Sequence, residues 1–220
     1  MQSIYLAGKS GFIGTIVHEN LSKIFNVISL SRDQSHFKES RKKTTGDSSS
    51  QILIYAAGNK NIQNCEDSFN AAIEDNVTYL QALAKSLNNP YIIYLSTDYV
   101  FNGLDGNYSF DDAPSPDTNY GKSKVMAENW LLNEYLGKSN ILRVSTICSD
   151  GSSFIRYLLE TSEIENSIIE VANNAFFSPT SINLLIECLS FLAQERLQGI
   201  YHLSGPRISR ADFAEMVLLL

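Results

Sequence analysis

Short runs of apolar residues alternate along the chain with longer stretches in which apolar residues recur every three or four positions. Runs of the first kind predict buried β-strands and lie at Ser3–Ala7, Asn26–Leu30, Gln51–Ala56, Tyr91–Ser96 and Ser139–Ile147. Stretches of the second kind predict amphipathic helices between those strands. Strands that alternate with helices indicate an α/β fold built on a doubly wound parallel sheet.

The helical periodicity lies between these strands and returns near the C-terminus. It predicts helices from Phe12 to Ile24, Glu66 to Leu87, Pro116 to Leu136, Phe154 to Thr161, Ser181 to Ala193 and from Ser209 onward. After Ile147 the apolar runs are shorter and predict strands at Ile168–Val171, Phe176–Thr180 and Gly199–Leu203. We therefore expect the parallel sheet in residues 1–147 and a smaller lobe, interleaved with it, in residues 148–220.

The charge of the chain disfavours nucleic acid as a partner. Its 220 residues carry a formal net charge of −7, and the basic run Arg41–Lys43 lies in a polar stretch. No apolar run approaches the ~20 residues of a membrane span, and the N-terminal residues lack the layout of a signal peptide. We expect a cytoplasmic protein with neither nucleic acid nor a membrane as its partner.

The cysteines and histidines form no metal or disulfide pattern. Cys65, Cys148 and Cys188 are odd in number and widely spaced, which is typical of free thiols in a reducing compartment. His18, His36 and His202 are scattered without ligand spacing. We therefore expect no metal site.

A glycine-rich turn follows the first predicted strand. Gly8, Gly11 and Gly14 stand three residues apart, directly before the first helical pattern. Glycines at these places permit a tight turn and a close approach to a pyrophosphate, which the helix N-terminus then faces. No Lys-Ser/Thr pair follows Gly14, so the turn is not an ATPase-type phosphate loop. The sequence predicts dinucleotide binding here, with a purely structural turn as the alternative.

The end of the second strand bears on the choice of cofactor. Ser31 and Arg32 follow it, and a basic residue with small hydroxyls suits the 2′-phosphate of NADP. Asp33 comes next and would instead hold the ribose 2′-hydroxyl of NAD. We expect NADP to be preferred over NAD.

Small residues end the third strand. Ala56, Ala57 and Gly58 leave room for a cofactor at its carboxyl end, although a tight turn under packing pressure explains them equally well. In the helix that follows, Asn76 is a polar residue beside the apolar face. These four residues are candidates for a cofactor crevice.

Tyr120 and Lys124 are four residues apart in a predicted helix, so their side chains share one face. A Lys ammonium beside a phenol lowers the pKa of the phenol, which suits a proton donor to a carbonyl near neutral pH. Thr97 ends the fourth strand, where its hydroxyl would reach the same cleft. A helix face with a solvated Tyr and Lys is the alternative, since this spacing is common.

Taken together, these motifs resemble those of the extended short-chain dehydrogenase/reductase superfamily. Within it, STDYVFNG followed by P-x-x-x-YGKSK resembles the dTDP-4-dehydrorhamnose reductase family. The stretches that carry the resemblance are Gly8–Gly14, Ala56–Gly58, Ser96–Gly103, Tyr120–Lys124, Leu142–Thr146, Ser178–Ile182 and Gly199–Gly205. They cover nearly the whole chain.

The resemblance implies a Rossmann sheet with a small, shortened C-terminal substrate lobe, and it implies site residues. Tyr120 would give the proton, Lys124 would bind the nicotinamide ribose and lower the pKa of Tyr120, and Thr97 would hydrogen-bond the carbonyl oxygen. NADPH would contact Gly8, Ser10, Gly11, Phe12, Ile13, Gly14, Ser31, Arg32, Ala56, Ala57, Gly58, Asn76, Ser96, Tyr120 and Lys124. The substrate would contact Asp98, Tyr99, Thr146 and Phe177.

The implied reaction is the NADPH-dependent reduction of the 4-keto group of a nucleotide-linked 6-deoxy sugar, for polysaccharide or deoxysugar biosynthesis. Two alternatives stay open. One is an NAD-dependent sugar-nucleotide epimerase or dehydratase on the same scaffold, and the other is a non-catalytic, nucleotide-binding regulatory homologue. A homodimer through the helices at residues 66–87 and 116–136 is expected, with a monomer as the alternative.

The sequence departs from the family pattern in the substrate lobe. Thr146 stands where the family usually carries an aromatic residue, and Asn173–Phe177 stands where it tends to have Asp-Gln. The identity of the sugar is therefore left open by the sequence.

Overall fold

A computed structural model describes residues 3–31 and 51–219 of the chain. Its strands are β1 Ser3–Ala7, β2 Asn26–Leu30, β3 Ile52–Tyr55, β4 Tyr91–Thr97, β5 Ser139–Val144, β6 Ile147–Cys148, β7 Phe176–Phe177, β8 Thr180–Ser181, β9 Gly199–Leu203 and β10 Ile208–Ser209. Its helices are α1 Phe12–Leu21, α2 Ile62–Asp67, α3 Phe69–Ile73, α4 Tyr79–Ser86, α5 Asn119–Glu134, α6 Ser153–Ser162, α7 Ile182–Glu195 and α8 Arg210–Leu218. A π-helical turn, Glu74–Thr78, joins α3 to α4, and a 3₁₀ turn, Asp98–Val100, follows β4.

Within the described residues, six strands form the central sheet, in the order β2-β1-β3-β4-β5-β9. The pairs β1–β2, β1–β3 and β3–β4 are parallel, and Ile4 of β1 stands in register between Val27 and Ile52. Every residue of β3, β4 and β5 is buried, as expected for strands covered on both faces. The predicted doubly wound α/β sheet is confirmed.

The strand order places a crevice next to β1. The chain leaves β1 for β2 on one side of it and later returns to β3 on the other side. At such a switch point the connections diverge, so the carboxyl ends of the two neighbouring strands are where α/β sheets bind ligands. The residues that follow β1 and β3, Gly8 and Ala56, stand at this edge.

The predicted helix from Glu66 to Leu87 is wrong as a single helix. Ser68 has extended backbone between α2 and α3, and its hydroxyl accepts a hydrogen bond from the Ala71 amide as the N-cap of α3. A side chain that caps a new helix interrupts the preceding one, because the capping residue leaves helical geometry. The apolar periodicity continues across this break and therefore did not reveal it.

Three strand predictions beyond residue 139 need correction, and one of them, Phe176–Thr180, divides into β7 and β8 of different sheets. The strand expected over Ser139–Ile147 ends at Val144, and Ile147 belongs to β6, which pairs with β8 outside the central sheet. Ile168–Val171 forms no strand, and Ile168 is 81% exposed. A strand needs a neighbour for its backbone groups, which an apolar run alone does not provide. The predicted strand Gly199–Leu203 is confirmed as β9.

The chain divides into two compact units. The first comprises Met1–Arg143 with Ile186–His202, and the second comprises Val144–Leu185 with Leu203–Leu220. The boundary expected at residue 147 stays a prediction. Within residues 3–31 and 51–219, none of the helices combines the length and apolarity needed to cross a bilayer.

Candidate active site

The turn after β1 is packed tightly against the end of β3. Gly8 has φ +96°, and a Cβ there would lie 2.6 Å from the carbonyl carbon and oxygen of Ala56. A Cβ on Gly14 would lie 1.9 Å from the Gly8 carbonyl oxygen, so only glycine lets α1 start this close to the turn. The Gly11 amide closes the turn by donating to the Gly8 carbonyl at 3.0 Å.

The N-terminus of α1 suits a pyrophosphate. Gly11 is the N-cap and has no side chain to cap the first turn, so the backbone amides of that turn are the donors that an anion there would meet. The Thr15 hydroxyl donates to the Lys9 carbonyl at 2.8 Å, which ties the glycine turn to α1. Ser10 is exposed, and Phe12 and Ile13 are partly buried at this end of the helix. The residues present therefore fit the phosphates of a dinucleotide.

Asn76 connects the end of β3 to α5. Its Oδ1 accepts a hydrogen bond from the Asn59 amide at 2.9 Å. Its Nδ2 donates to the Ser123 hydroxyl at 2.8 Å and to the Asn59 carbonyl at 3.3 Å. The side chain is 1% exposed, so it fixes the segment after Gly58 beside the Tyr120 helix. Its predicted contact with a cofactor stays a prediction.

The residues predicted to select NADP lie at the margin of the described chain. Ser31 is exposed directly after β2. Arg32 lies outside the described residues, so the structure gives no account of its side chain.

Helix α5 begins after a side-chain cap. The Thr118 hydroxyl accepts a hydrogen bond from the Gly121 amide at 3.0 Å and forms the N-cap. Tyr120 and Lys124 lie in the same helix. Between them, a Cβ on Gly121 would lie 2.1 Å from the Tyr99 carbonyl oxygen, so α5 contacts the 3₁₀ turn directly.

This contact brings Thr97 to Tyr120. A hydrogen bond joins the Thr97 side chain to the Tyr120 phenol. Thr97 is 7% exposed; its hydroxyl donates to Asp98 Oδ1 at 3.1 Å, and its oxygen accepts from the Tyr99 amide at 3.3 Å. The Tyr99 ring packs edge-on to the Tyr120 ring with centroids 5.8 Å apart. Two hydroxyls are thus held together at the carboxyl end of β4.

The expectation that Lys124 lowers the pKa of Tyr120 is wrong in this structure. Burial raises the pKa of the Tyr120 phenol to about 12, since phenolate is poorly solvated there, and the hydrogen bond with Thr97 opposes only part of this. The carboxylate of Asp98 raises it further. The phenol therefore keeps its proton near neutral pH and has one to give.

Lys124 is buried and turned toward β4. Its Nζ donates to the Leu95 carbonyl at 2.6 Å and lies 4.2 Å from the centroid of the Tyr94 ring. Burial lowers the pKa of Lys124 to about 7, and the carboxylate of Glu128 opposes this decrease. The ammonium is therefore easily lost on a rise in pH.

A buried ion pair next to this site was missed from the sequence. Arg143 donates from Nε to Glu128 Oε1 at 3.1 Å and from Nη2 to Oε2 at 2.8 Å, with both side chains almost fully buried. The Ser96 hydroxyl donates to Glu128 Oε1, so this predicted cofactor residue binds the carboxylate. A glutamate one helical turn after Lys124 was the available signal, because that spacing places both on one face.

The predicted substrate residues are found in both units. Asp98 and Tyr99 belong to the first unit beside Thr97. Thr146 and Phe177 belong to the second, where the Phe177 ring packs edge-on to Phe213 with centroids 5.1 Å apart. Their contact with substrate stays a prediction. Among the residues that the structure describes, no cluster of His, Cys, Asp and Glu is suited to a metal ion.

A sequence profile of the RmlD substrate binding domain matches residues 1–219. The chain is 28% identical to dTDP-4-dehydrorhamnose reductase of Escherichia coli, over 98% of this chain and 77% of that protein.

Solved structures of dTDP-4-dehydrorhamnose reductases are also similar to this chain. A hypothetical dTDP-4-dehydrorhamnose reductase of Sulfolobus tokodaii superimposes with a TM-score of 0.83 at 27% identity, covering 99% of this chain and 81% of that one. The Bacillus anthracis dTDP-4-dehydrorhamnose reductase in complex with NADP superimposes with a TM-score of 0.86. The match covers 99% of this chain and 80% of that chain. Because the identity is 23%, this second similarity shows the fold alone.

Proposed function

Since the chain belongs to the RmlD substrate binding domain family, we propose that it reduces the 4-keto group of a nucleotide-linked 6-deoxy sugar with NADPH. The observation that carries the proposal is the hydrogen bond between Thr97 and Tyr120 at the carboxyl end of β4. Two hydroxyls held together can both donate to one carbonyl oxygen, which stabilises the charge that develops on it. The similarity to a dTDP-4-dehydrorhamnose reductase supports a sugar nucleotide as substrate.

Each residue has a distinct task in this reaction. Bound NADPH supplies the hydride that the carbonyl carbon accepts. Tyr120 transfers its phenol proton to the resulting alkoxide, and Thr97 donates a hydrogen bond to the same oxygen. The pKa of Tyr120, raised to about 12, leaves the phenol protonated before each turnover. Lys124, when charged, binds the nicotinamide ribose.

The glycine turn holds the other end of the cofactor. Gly8 and Gly14 permit the close approach of β1, β3 and α1, and the first turn of α1 receives the pyrophosphate. Ser31 and Arg32 would bind the 2′-phosphate, which is the basis for proposing NADPH over NADH. Replacing Arg32 by Asp is expected to reverse the ratio of the two dissociation constants, measured by fluorescence titration.

The experiment that tests the function is turnover of dTDP-linked 4-keto-6-deoxy sugars with NADPH. Absorbance would follow the cofactor, and mass spectrometry would show a product two mass units heavier. Tyr120→Phe is expected to reduce kcat by about 10²–10⁴-fold while NADPH binding is kept. Tyr157→Phe, at an exposed tyrosine of α6, is the matched control and should keep full activity.

The same assay separates the alternatives. An epimerase or dehydratase would change the sugar without net oxidation of NADPH. A regulatory homologue would bind the nucleotide and turn nothing over, so either result would refute the reductase.

We further propose a cytoplasmic homodimer that pairs through the helices at residues 66–87 and 116–136. The free thiols Cys65, Cys148 and Cys188 support a reducing compartment. Met126 on α5 is 41% exposed, which supports a covered helix face in the dimer. Light scattering on a sizing column would give the mass of the particle, and Met126→Glu is expected to halve it.

A further inference from the structure

Tyr94 lies against the ammonium of Lys124 in the core of the first unit. The Nζ atom stands 4.2 Å from the centroid of the Tyr94 ring, which is fully buried on β4. A cation within about 6 Å of an aromatic ring face is attracted by the ring quadrupole, and most strongly where both are shielded from water. The ring therefore offers the ammonium an electrostatic partner in place of solvent.

Lys124 has few other partners in the described part of the chain. There its Nζ makes one hydrogen bond, to the Leu95 carbonyl. The carboxylate of Glu128 favours the charged form of Lys124, but both oxygens of that carboxylate are already bound by Arg143. An ammonium removed from water depends on whatever contacts remain, and the ring is one of them.

The ring of Tyr94, and not its hydroxyl, is the part that the site uses. The Tyr55 ring stacks on it with centroids 5.8 Å apart and an interplanar angle of 27°. The Tyr55 hydroxyl in turn donates to the Asp75 carbonyl at 2.8 Å, which fixes the stack. The Tyr94 hydroxyl, by contrast, is buried and makes no hydrogen bond with any residue of the described ranges. A buried polar group without a partner destabilises a fold.

We propose that Tyr94 is a positioning residue for Lys124: the face of its ring holds the ammonium against β4 by a cation–π contact. The contact is a property of the free protein, and only its kinetic consequence rests on the proposed reduction. Substituting the ring with an aliphatic side chain of similar size would leave the ammonium without this partner.

The charge of Lys124 is sensitive to this contact because the pKa of Lys124 is lowered to about 7. A weaker cation–π attraction from the Tyr94 ring lowers the pKa of Lys124 further, so the ammonium loses its proton at a lower pH. Among the described residues, the groups that face Lys124 or its partners are Tyr55 on β3, Tyr94 on β4, Arg143 on β5, Tyr120 and Glu128 on α5, Cys65 on α2, and Asp98 and Tyr99 on the 3₁₀ turn. All of them stay unchanged in the experiment below except Tyr94.

The experiment replaces Tyr94 by phenylalanine and by phenylalanines with one, two and three ring fluorines. Each fluorine weakens the quadrupole with little change of shape, so folding is preserved across the series. The pKa of Lys124 is read in the free protein from the NMR signal of its labelled ε-carbon, assigned by its absence in Lys124→Arg. A second readout is the pH dependence of NADPH binding.

Tyr94→Phe is expected to match the wild type in the pKa of Lys124 and to melt at the same temperature or higher. The pKa is then expected to fall stepwise with each fluorine, by about one pH unit over the series. The upper pH limit of turnover should move by the same steps. An unchanged pKa across the series, or a shift in Tyr94→Phe as large as in the whole series, would overturn the proposal. Stepwise shifts in a protein without turnover would support the contact and refute the proposed reduction.

Discussion

A Cβ on Gly121 would lie 2.1 Å from the backbone carbonyl oxygen of Tyr99, so α5 begins in direct contact with the turn that follows β4. The glycine stands next to Tyr120, and Tyr99 is two residues from Thr97. The separation between the helix and the turn therefore sets the distance between the two hydroxyls of the site. A glycine outside the catalytic set thus controls the geometry on which catalysis depends.

Gly121→Ala is expected to destabilise the fold by about 1–3 kcal/mol, because the methyl group has to displace a backbone carbonyl. It should also reduce kcat by about 100-fold, since a displacement of about 1 Å misplaces Tyr120 relative to Thr97. Urea unfolding and turnover measure the two effects. Gly11→Ala is the control for stability, because Gly11 has φ −83° and its nearest neighbour to a Cβ is 3.4 Å away. Equal stability of Gly121→Ala and wild type would contradict the expected clash.

Arg143→Met is expected to cost about 3–5 kcal/mol of unfolding free energy, because the Glu128 carboxylate stays buried without its guanidinium partner. The double variant Arg143→Met/Glu128→Leu should recover most of this loss, since no buried charge is then left unpaired. Arg156→Met removes the exposed pair with Glu160 on α6 and should leave the melting temperature unchanged. A loss in the double variant as large as in the single one would disprove the account of the pair.

Thr97→Val is expected to lower kcat by about 10²–10³-fold, as the loss of one donor to a developing oxyanion does. Thr97→Ser keeps the hydroxyl that bonds Tyr120 and accepts from the Tyr99 amide, and should retain most of the activity. NADPH affinity should be the same in both variants. A serine variant as impaired as the valine one would show that the methyl group, and not the hydroxyl, is required.

Lys124 is expected to make the protein more stable as the pH rises from about 7 toward 10. Its pKa in the fold is about 7 against an ordinary value of 10.5, so the unfolded chain binds more protons across this range and stability increases with pH. Below pH 7 both states carry the charge and the cost of burying it is complete. Lys124→Met should remove this part of the pH dependence. Between pH 6.5 and 8.5 the variant should gain less unfolding free energy than the wild type, by at least ~1 kcal/mol.

The comparison is made by urea unfolding of both proteins at several pH values. Lys122→Met, at an exposed position of the same helix, should follow the wild-type curve. Parallel curves for wild type and Lys124→Met would show that Lys124 keeps an ordinary pKa in the fold.

The local features of this protein were predictable from the sequence by itself. The strands of the central sheet, the glycine turn after β1 and the Thr118 cap of α5 depend on residues within one or two turns of each other. Apolar periodicity, glycine spacing and capping residues report such short-range physics directly. The placing of Tyr120 and Lys124 on one helix has the same origin.

Tertiary structure decided the electrostatics of the site. Burial raises the pKa of Tyr120 and lowers that of Lys124, against the sequence expectation for the phenol, because the solvent that each loses is displaced by strands far away in the chain. The pairing of Glu128 with Arg143 and the ring of Tyr94 against Lys124 likewise join separate elements. The spacing of residues along the sequence determines which side chains share a face of one helix or strand. The dielectric and the partners around a buried charge are set only when the elements pack together.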